Sequence, residues 1–96
     1  MSLPKKYKFC LYVAGDAPNS AQAQANLIAL CETHLPGRYE IKVVDVLTKP
    51  MVALKNNVLM TPTLVKLAPV PVRRIVGALS RMQTVLDTLG LEVIAA

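Results

Sequence analysis

Residues 7–13 read Tyr7-Lys8-Phe9-Cys10-Leu11-Tyr12-Val13, and residues 39–46 read Tyr39-Glu40-Ile41-Lys42-Val43-Val44-Asp45-Val46. In the first stretch Tyr7, Phe9, Leu11 and Val13 fall on one side and Lys8, Cys10 and Tyr12 on the other, the period of two that marks a strand. The second alternates in the same way and places Ile41, Val43 and either Leu47 or Val46 inside. Between the two, Ala14 to Ser20 is turn chemistry, and Asn19 or Ser20 stands where it can cap an Ala/Gln-rich helix reaching His34. Leu27, Ile28, Cys31 and Leu35 follow helical spacing there, and Pro36-Gly37 stops the helix. Two strands joined through one helix make a crossover unit, whose strands run parallel.

Outward from this unit the signals become shorter. Pro50 opens a brief helix over residues 51–56, and residues 58–67 read as a strand interrupted by Pro62. Pro69 and Pro71 turn the chain into Val72-Arg73-Arg74-Ile75-Val76, a second short strand. Ser80 with Gln83 three residues on is a capping box, and Leu79, Met82, Val85, Leu86 and Leu89 form the stripe of a last helix that Gly90 ends. Glu92-Val93-Ile94 reads equally as a tail or a strand. The predicted order is βαβαββα.

A chain of 96 residues suits a single domain spanning residues 1–96. At 53% hydrophobic and 18% charged, with a mean hydropathy of +0.41, it lies far from the composition of disordered chains. So apolar a composition on so short a chain points to self-association. A net charge of +5 favours acidic partners. No apolar run reaches the roughly 18–20 residues of a membrane span, and the apolar run after Lys5, Lys6 and Lys8 is too short for a secretory signal, which together point to the cytoplasm. Cys10 and Cys31 are far apart, and His34 has no companions to make a metal site. No cofactor is called for.

The order βαβαββα is the thioredoxin arrangement, and the proline of Thr61-Pro62-Thr63-Leu64 stands where that fold keeps a cis-proline. Its redox chemistry has no counterpart here. A thiol oxidoreductase needs a thiolate at the start of the first helix and a resolving partner nearby, whereas this chain has Ala17-Pro18-Asn19-Ser20-Ala21. Cys10 belongs to a strand and Cys31 to the far end of the helix, places where thiols pack rather than react.

Leu11-Tyr12-Val13-Ala14-Gly15 with Pro18-Asn19-Ser20, then Val43-Val44-Asp45-Val46-Leu47, Thr61-Pro62-Thr63-Leu64 and Pro71-Val72-Arg73-Arg74-Ile75-Val76-Gly77 with Leu79-Ser80, form an ordered series over nearly the whole chain. In these blocks the sequence resembles the KaiB family. The resemblance implies a non-enzymatic clock protein that binds the KaiC ATPase ring, then captures KaiA and competes with the sensor kinase SasA. It also implies two folds: a homotetrameric ground state, βαββααβ, and a thioredoxin-like monomer, βαβαββα, that binds KaiC. The two share the N-terminal βαβ and differ in the C-terminal half.

By the same resemblance, partner binding falls to Glu40, Lys42, Lys66, Arg73 and Arg74, and the fold switch to Pro62, Pro69, Pro71, Thr88 and Gly90. The chain departs from the family where Cys10 replaces Lys, Gln22 and Ala25 replace basic residues, Glu40 replaces Ala, and Thr88 and Gly90 replace Gly and Asp. Leu54-Lys55-Asn56-Asn57 stands in place of an acidic stretch. The prolines of the second half offer a physical basis for switching, because they interrupt apolar segments of indecisive period and leave two packings close in energy.

Two rivals remain in view: a thioredoxin-fold interaction module in stress or signalling, and a weak binder of single-stranded nucleic acid. The second would use Lys5, Lys6, Lys8, Lys66, Arg73 and Arg74 with Tyr7 and Phe9. Since Tyr7 and Phe9 share a strand face with Leu11, packing explains them better.

Overall fold

The computed structural model describes residues 6–91. Its elements are β1 (Tyr7–Val13), α1 (Pro18–His34), β2 (Tyr39–Asp45), α2 (Pro50–Lys55), β3 (Thr63–Ala68), β4 (Arg73–Val76) and α3 (Met82–Leu89). This is the predicted order, in its thioredoxin-like form. The strands make one sheet in the order β2-β1-β3-β4. β1 pairs with β2 in parallel, Tyr7 opposite Tyr39 through Val13 opposite Asp45. It pairs antiparallel with β3, which in turn pairs antiparallel with β4.

β1 is the central strand in burial as well as in position, with every residue from Phe9 to Val13 buried. Its two faces feed two separate cores. Phe9, Leu11 and Val13 join Leu64 of β3 against Ala23, Leu27, Leu30, Cys31 and Leu35 of the α1 region and Leu79, Val85, Leu86 and Leu89 of the α3 region. Cys10 and Tyr12 join Val44, Val65, Ala53 and Val58 beneath α2. Helices α1 and α3 therefore cover one face and α2 the other.

Several expected details differ. α1 begins at Pro18, in the first helical position where a missing N–H costs nothing, and neither Asn19 nor Ser20 caps it. Ser20 is instead buried, and its Oγ accepts from the Ala14 N–H at 3.1 Å. Ile28 is exposed and Leu30 takes its place in the core. In β2 the interior falls to Val44, with Ile41 and Val46 half-buried, while Val43 and Leu47 are exposed, because an edge strand packs each of its faces only in part. The predicted capping box at Ser80 and Gln83 does not form, since α3 starts two residues later with no side-chain cap. Met82 lies at the margin of the stripe, exposed, while Leu79, Val85, Leu86 and Leu89 are buried. Gly90 ends α3 in the left-handed region at φ 74°, as its sequence position predicts. Glu92-Val93-Ile94 lies outside the described residues.

Candidate functional site

The prolines expected to matter cluster around the β3–β4 hairpin. Pro62 is buried immediately ahead of β3, and its carbonyl accepts from the Gly77 N–H at 2.9 Å just beyond β4, closing the hairpin's open end. Thr61-Pro62, Ala68-Pro69 and Val70-Pro71 are cis. Pro69 and Pro71 form the connection between the two strands, where Val70 and Val72 are exposed.

Beside this hairpin, α2 and the loop after it expose a run of large apolar side chains. Met51 and Leu54 project from α2, followed by Leu59, which is 88% exposed, and Met60. Leu59 and Met60, with Asn57, Val58, Thr63, Arg74 and Val76, line an open recess of about 260 Å³. Soluble monomers rarely leave so many apolar side chains together in water unless something covers them. Lys49, Lys55 and Arg74 stand among and around them, so the strip is apolar with a basic border.

The residues assigned by resemblance to partner binding do not form one surface. Glu40 and Lys42 are exposed on the edge strand β2. Arg73 is exposed on the other edge, with Nη1 3.5 Å from its neighbour Val72's carbonyl. Arg74, also exposed, reaches over the end of α2, where Nη1 donates to the Asn57 carbonyl at 3.2 Å and Nη2 to the Asn56 carbonyl. Lys66 is only 4% exposed. Its Nζ donates to the Leu89 carbonyl at 3.1 Å and lies 5.9 Å from the centre of the Tyr7 ring. Lys66 thus leaves the expected basic surface in this conformation, because Leu64 and Lys66 share the strand face that α3 covers. Thr88 donates to the Thr84 carbonyl at 2.8 Å within α3, two residues before Gly90.

The titratable groups are arranged for packing. Burial pushes the Cys31 thiol up to about 12, with Glu32 nearby adding to the effect. Burial also pushes Tyr12 up to about 12, aided by its contact with Cys10. The hydrogen bond from the Tyr39 hydroxyl to Glu32, at 2.5 Å, raises Tyr39 as well. Both cysteines are free and buried, which holds them as inert thiols. Among the described residues, no group of three or more His, Cys, Asp or Glu could hold a metal ion, and no helix is long and apolar enough to cross a membrane.

The fold and the thiol positions define a thioredoxin-like domain without a dithiol at the head of its first helix. Among solved structures it is similar to the N-terminal domain of SasA from Synechococcus elongatus, with a TM-score of 0.72 at 19% identity over 99% of this chain and 94% of that one. It is also similar to mitochondrial thioredoxin 3 of Saccharomyces cerevisiae, with a TM-score of 0.70 at 18% identity over 91% and 80%. The KaiB domain model matches residues 10–91. The circadian clock oscillator protein KaiB of Synechococcus elongatus is 47% identical over 95% of this chain and 89% of its own length, and that of another Synechococcus 48% identical over 95% and 83%. The chain belongs to the KaiB family of circadian clock proteins.

The apolar strip on α2 and its loop was missed by sequence reasoning. Its signal was available in Met51, Leu54, Leu59 and Met60, four large apolar residues with no counterpart in the predicted core.

Proposed function

We propose that this chain is a non-enzymatic clock regulator, a single domain working in the cytoplasm, that docks on a KaiC-type ATPase ring. The observation that carries the reading is the exposed strip of Met51, Leu54, Leu59 and Met60 beside Pro62 and β4, present in the thioredoxin-like arrangement. Its apolar centre and basic border suit an acidic-rimmed apolar patch on the partner, with the net charge of +5 aiding encounter. Glu40 and Lys42 on the β2 edge and Arg73 on the β4 edge remain free for further contacts, and a KaiA-type protein or a SasA-like kinase competing for the ring are the partners the family relationship favours. In the absence of the ring, the same relationship favours a homotetramer with the second half refolded as βαββααβ, through changes at Pro62, Pro69, Pro71, Thr88 and Gly90.

The test is size-exclusion chromatography of the chain with a KaiC-type ATPase and ATP, sampled over hours. Co-elution that grows with time is expected, and Leu59→Ser with Met60→Ser should abolish it. A wild-type chain that elutes alone at every time point overturns the reading.

A further inference from the structure

Helices α2 and α3 end in the same device on opposite faces of the sheet. At the end of α2 the Val58 N–H donates to the Ala53 carbonyl at 2.9 Å and the Asn57 N–H to that of Leu54 at 3.1 Å, with Asn57 left-handed at φ 56°. At the end of α3 the Leu91 N–H donates to the Leu86 carbonyl at 2.9 Å and the Gly90 N–H to that of Asp87 at 3.2 Å, with Gly90 left-handed at φ 74°. Both are Schellman turns, which satisfy two carbonyls of the last turn. The carbonyl just before the left-handed residue stays outside that pattern and needs another donor.

In α2 that carbonyl belongs to Asn56, and Arg74 Nη2 donates to it while Nη1 takes the Asn57 carbonyl at 3.2 Å. In α3 it belongs to Leu89, and Lys66 Nζ donates to it at 3.1 Å. Both cations come from the β3–β4 hairpin. Arg74 lies opposite Val65, which faces the α2 core, and Lys66 lies opposite Arg73 and two residues from Leu64, which faces the α3 core. The hairpin thus sends one cation to each face, and each meets the negative end of a helix. The choice of side chain fits each place. Two adjacent carbonyls at a surface suit the guanidinium fork, and a buried carbonyl beside the Tyr7 ring suits a compact ammonium on a flexible stem.

We infer that Lys66 and Arg74 are positioning residues, a pair of clamps through which the β3–β4 hairpin fixes the ends of α3 and α2 separately. Arg74 thereby sets how α2 and residues 57–60 present the apolar strip to a partner, a role that rests on the docking reading above. Arg73 shares the hairpin and the charge without touching a helix end, and serves as the built-in control.

The test is amide hydrogen exchange on the free full-length chain, followed by binding to the ATPase ring. Arg74→Ala is expected to speed exchange at Asn56, Asn57 and Val58 by roughly three- to tenfold, the scale of a lost charge-assisted hydrogen bond near the surface, and to leave Leu89 to Leu91 unchanged. Arg74→Lys should recover part of the protection. Lys66→Met should do the converse, speeding Leu89 to Leu91 alone; Lys66→Gln, which keeps a donor, is the milder variant and should show a smaller change at the same amides should Lys66→Met not fold. Arg73→Ala should change neither set. Acceleration of both helix ends by either substitution, or of neither, overturns the inference. Arg74→Ala that weakens ring binding with free-chain exchange unchanged also overturns it, by making Arg74 a direct contact. If the wild-type chain does not bind the ring, the docking reading falls while the exchange pattern still decides the clamps.

Discussion

Residues 7–45 and residues 50–91 are built on different principles. The first half contains a 17-residue helix and a parallel pair in unbroken register over seven residues, and most of the side chains of the larger core come from it. The second half is made of elements of four to eight residues, with prolines ahead of β3 and between β3 and β4, and with side chains of the hairpin reaching carbonyls at the ends of α2 and α3. Apolar area is nondirectional and tolerates imprecision, whereas a side-chain donor on one carbonyl specifies one placement and is lost altogether when that placement changes. A segment held in the second way depends on the placement of a few named donors as well as on the core it shares with the first half.

The comparison breaks most readily at the shared core. Leu27→Ala removes a fully buried side chain between α1 and the sheet and should destabilise the whole chain by about 2–5 kcal/mol in denaturant unfolding. If only residues 50–91 lost exchange protection, the first half would not be the foundation described here.

Alkaline pH acts on the first half, where both strongly shifted groups lie. Cys31 in α1 rises from an ordinary value of 9.0 to about 12, and Tyr12 from 10.0 to about 12, so the fold holds both protons more tightly than the unfolded chain does. Their stabilisation is complete below the unfolded values and is lost as pH climbs through 9 and 10 towards about 12. Thermal unfolding midpoints should therefore fall over that range, and Cys31→Ala should delay the onset to the tyrosine portion. An unchanged onset in Cys31→Ala would assign the whole fall to the tyrosines.

Gly90→Asp acts on the second half alone. A Cβ at Gly90 meets nothing within 4 Å, so the cost is the left-handed backbone itself, about 1 kcal/mol. The substitution should raise the tetramer-to-monomer ratio in sedimentation and slow association with the ring. Neither effect appearing would make Gly90 a helix stop and nothing more.

The smallest expected effect lies at the seam. The Asn26 side chain of α1 donates to the Ala78 carbonyl at 2.7 Å, a tie between the two halves across 52 residues. Asn26→Ala should cost about 1 kcal/mol and loosen residues 77–79 before the rest, as read by exchange.

The two halves also differed in how far they could be read from residues alone. The alternation in Tyr7 to Val13 and Tyr39 to Asp45 carried the strands and their parallel pairing. The α1 cap was misread because Pro18 can start a helix without a side-chain cap, freeing Ser20 to bind the Ala14 N–H instead. Leu30 was overlooked because small Ala and Gln positions blur the helical stripe. Lys66 was misjudged for a general reason: lysine is rarely buried, and only its place between Leu64 and Leu67 in a central strand hinted that its stem packs inward. Strand periodicity points Arg74 opposite to Arg73, yet its target at the end of α2 is a tertiary fact that periodicity does not encode.

The two buried thiols supply a native pair of reporters. Cys10 lies in the layer beneath α2, and Cys31, on α1, faces the core that α1 and α3 share on the other side of the sheet. A thiol reagent can reach either only when its own layer opens, so the labelling rates of the unmodified chain time the two events independently. A rearrangement that lifts α2 would uncover Cys10, while Cys31 stayed covered for as long as the core under α1 held. The order of alkylation, read by mass spectrometry without any introduced dye, would tell which layer opens first.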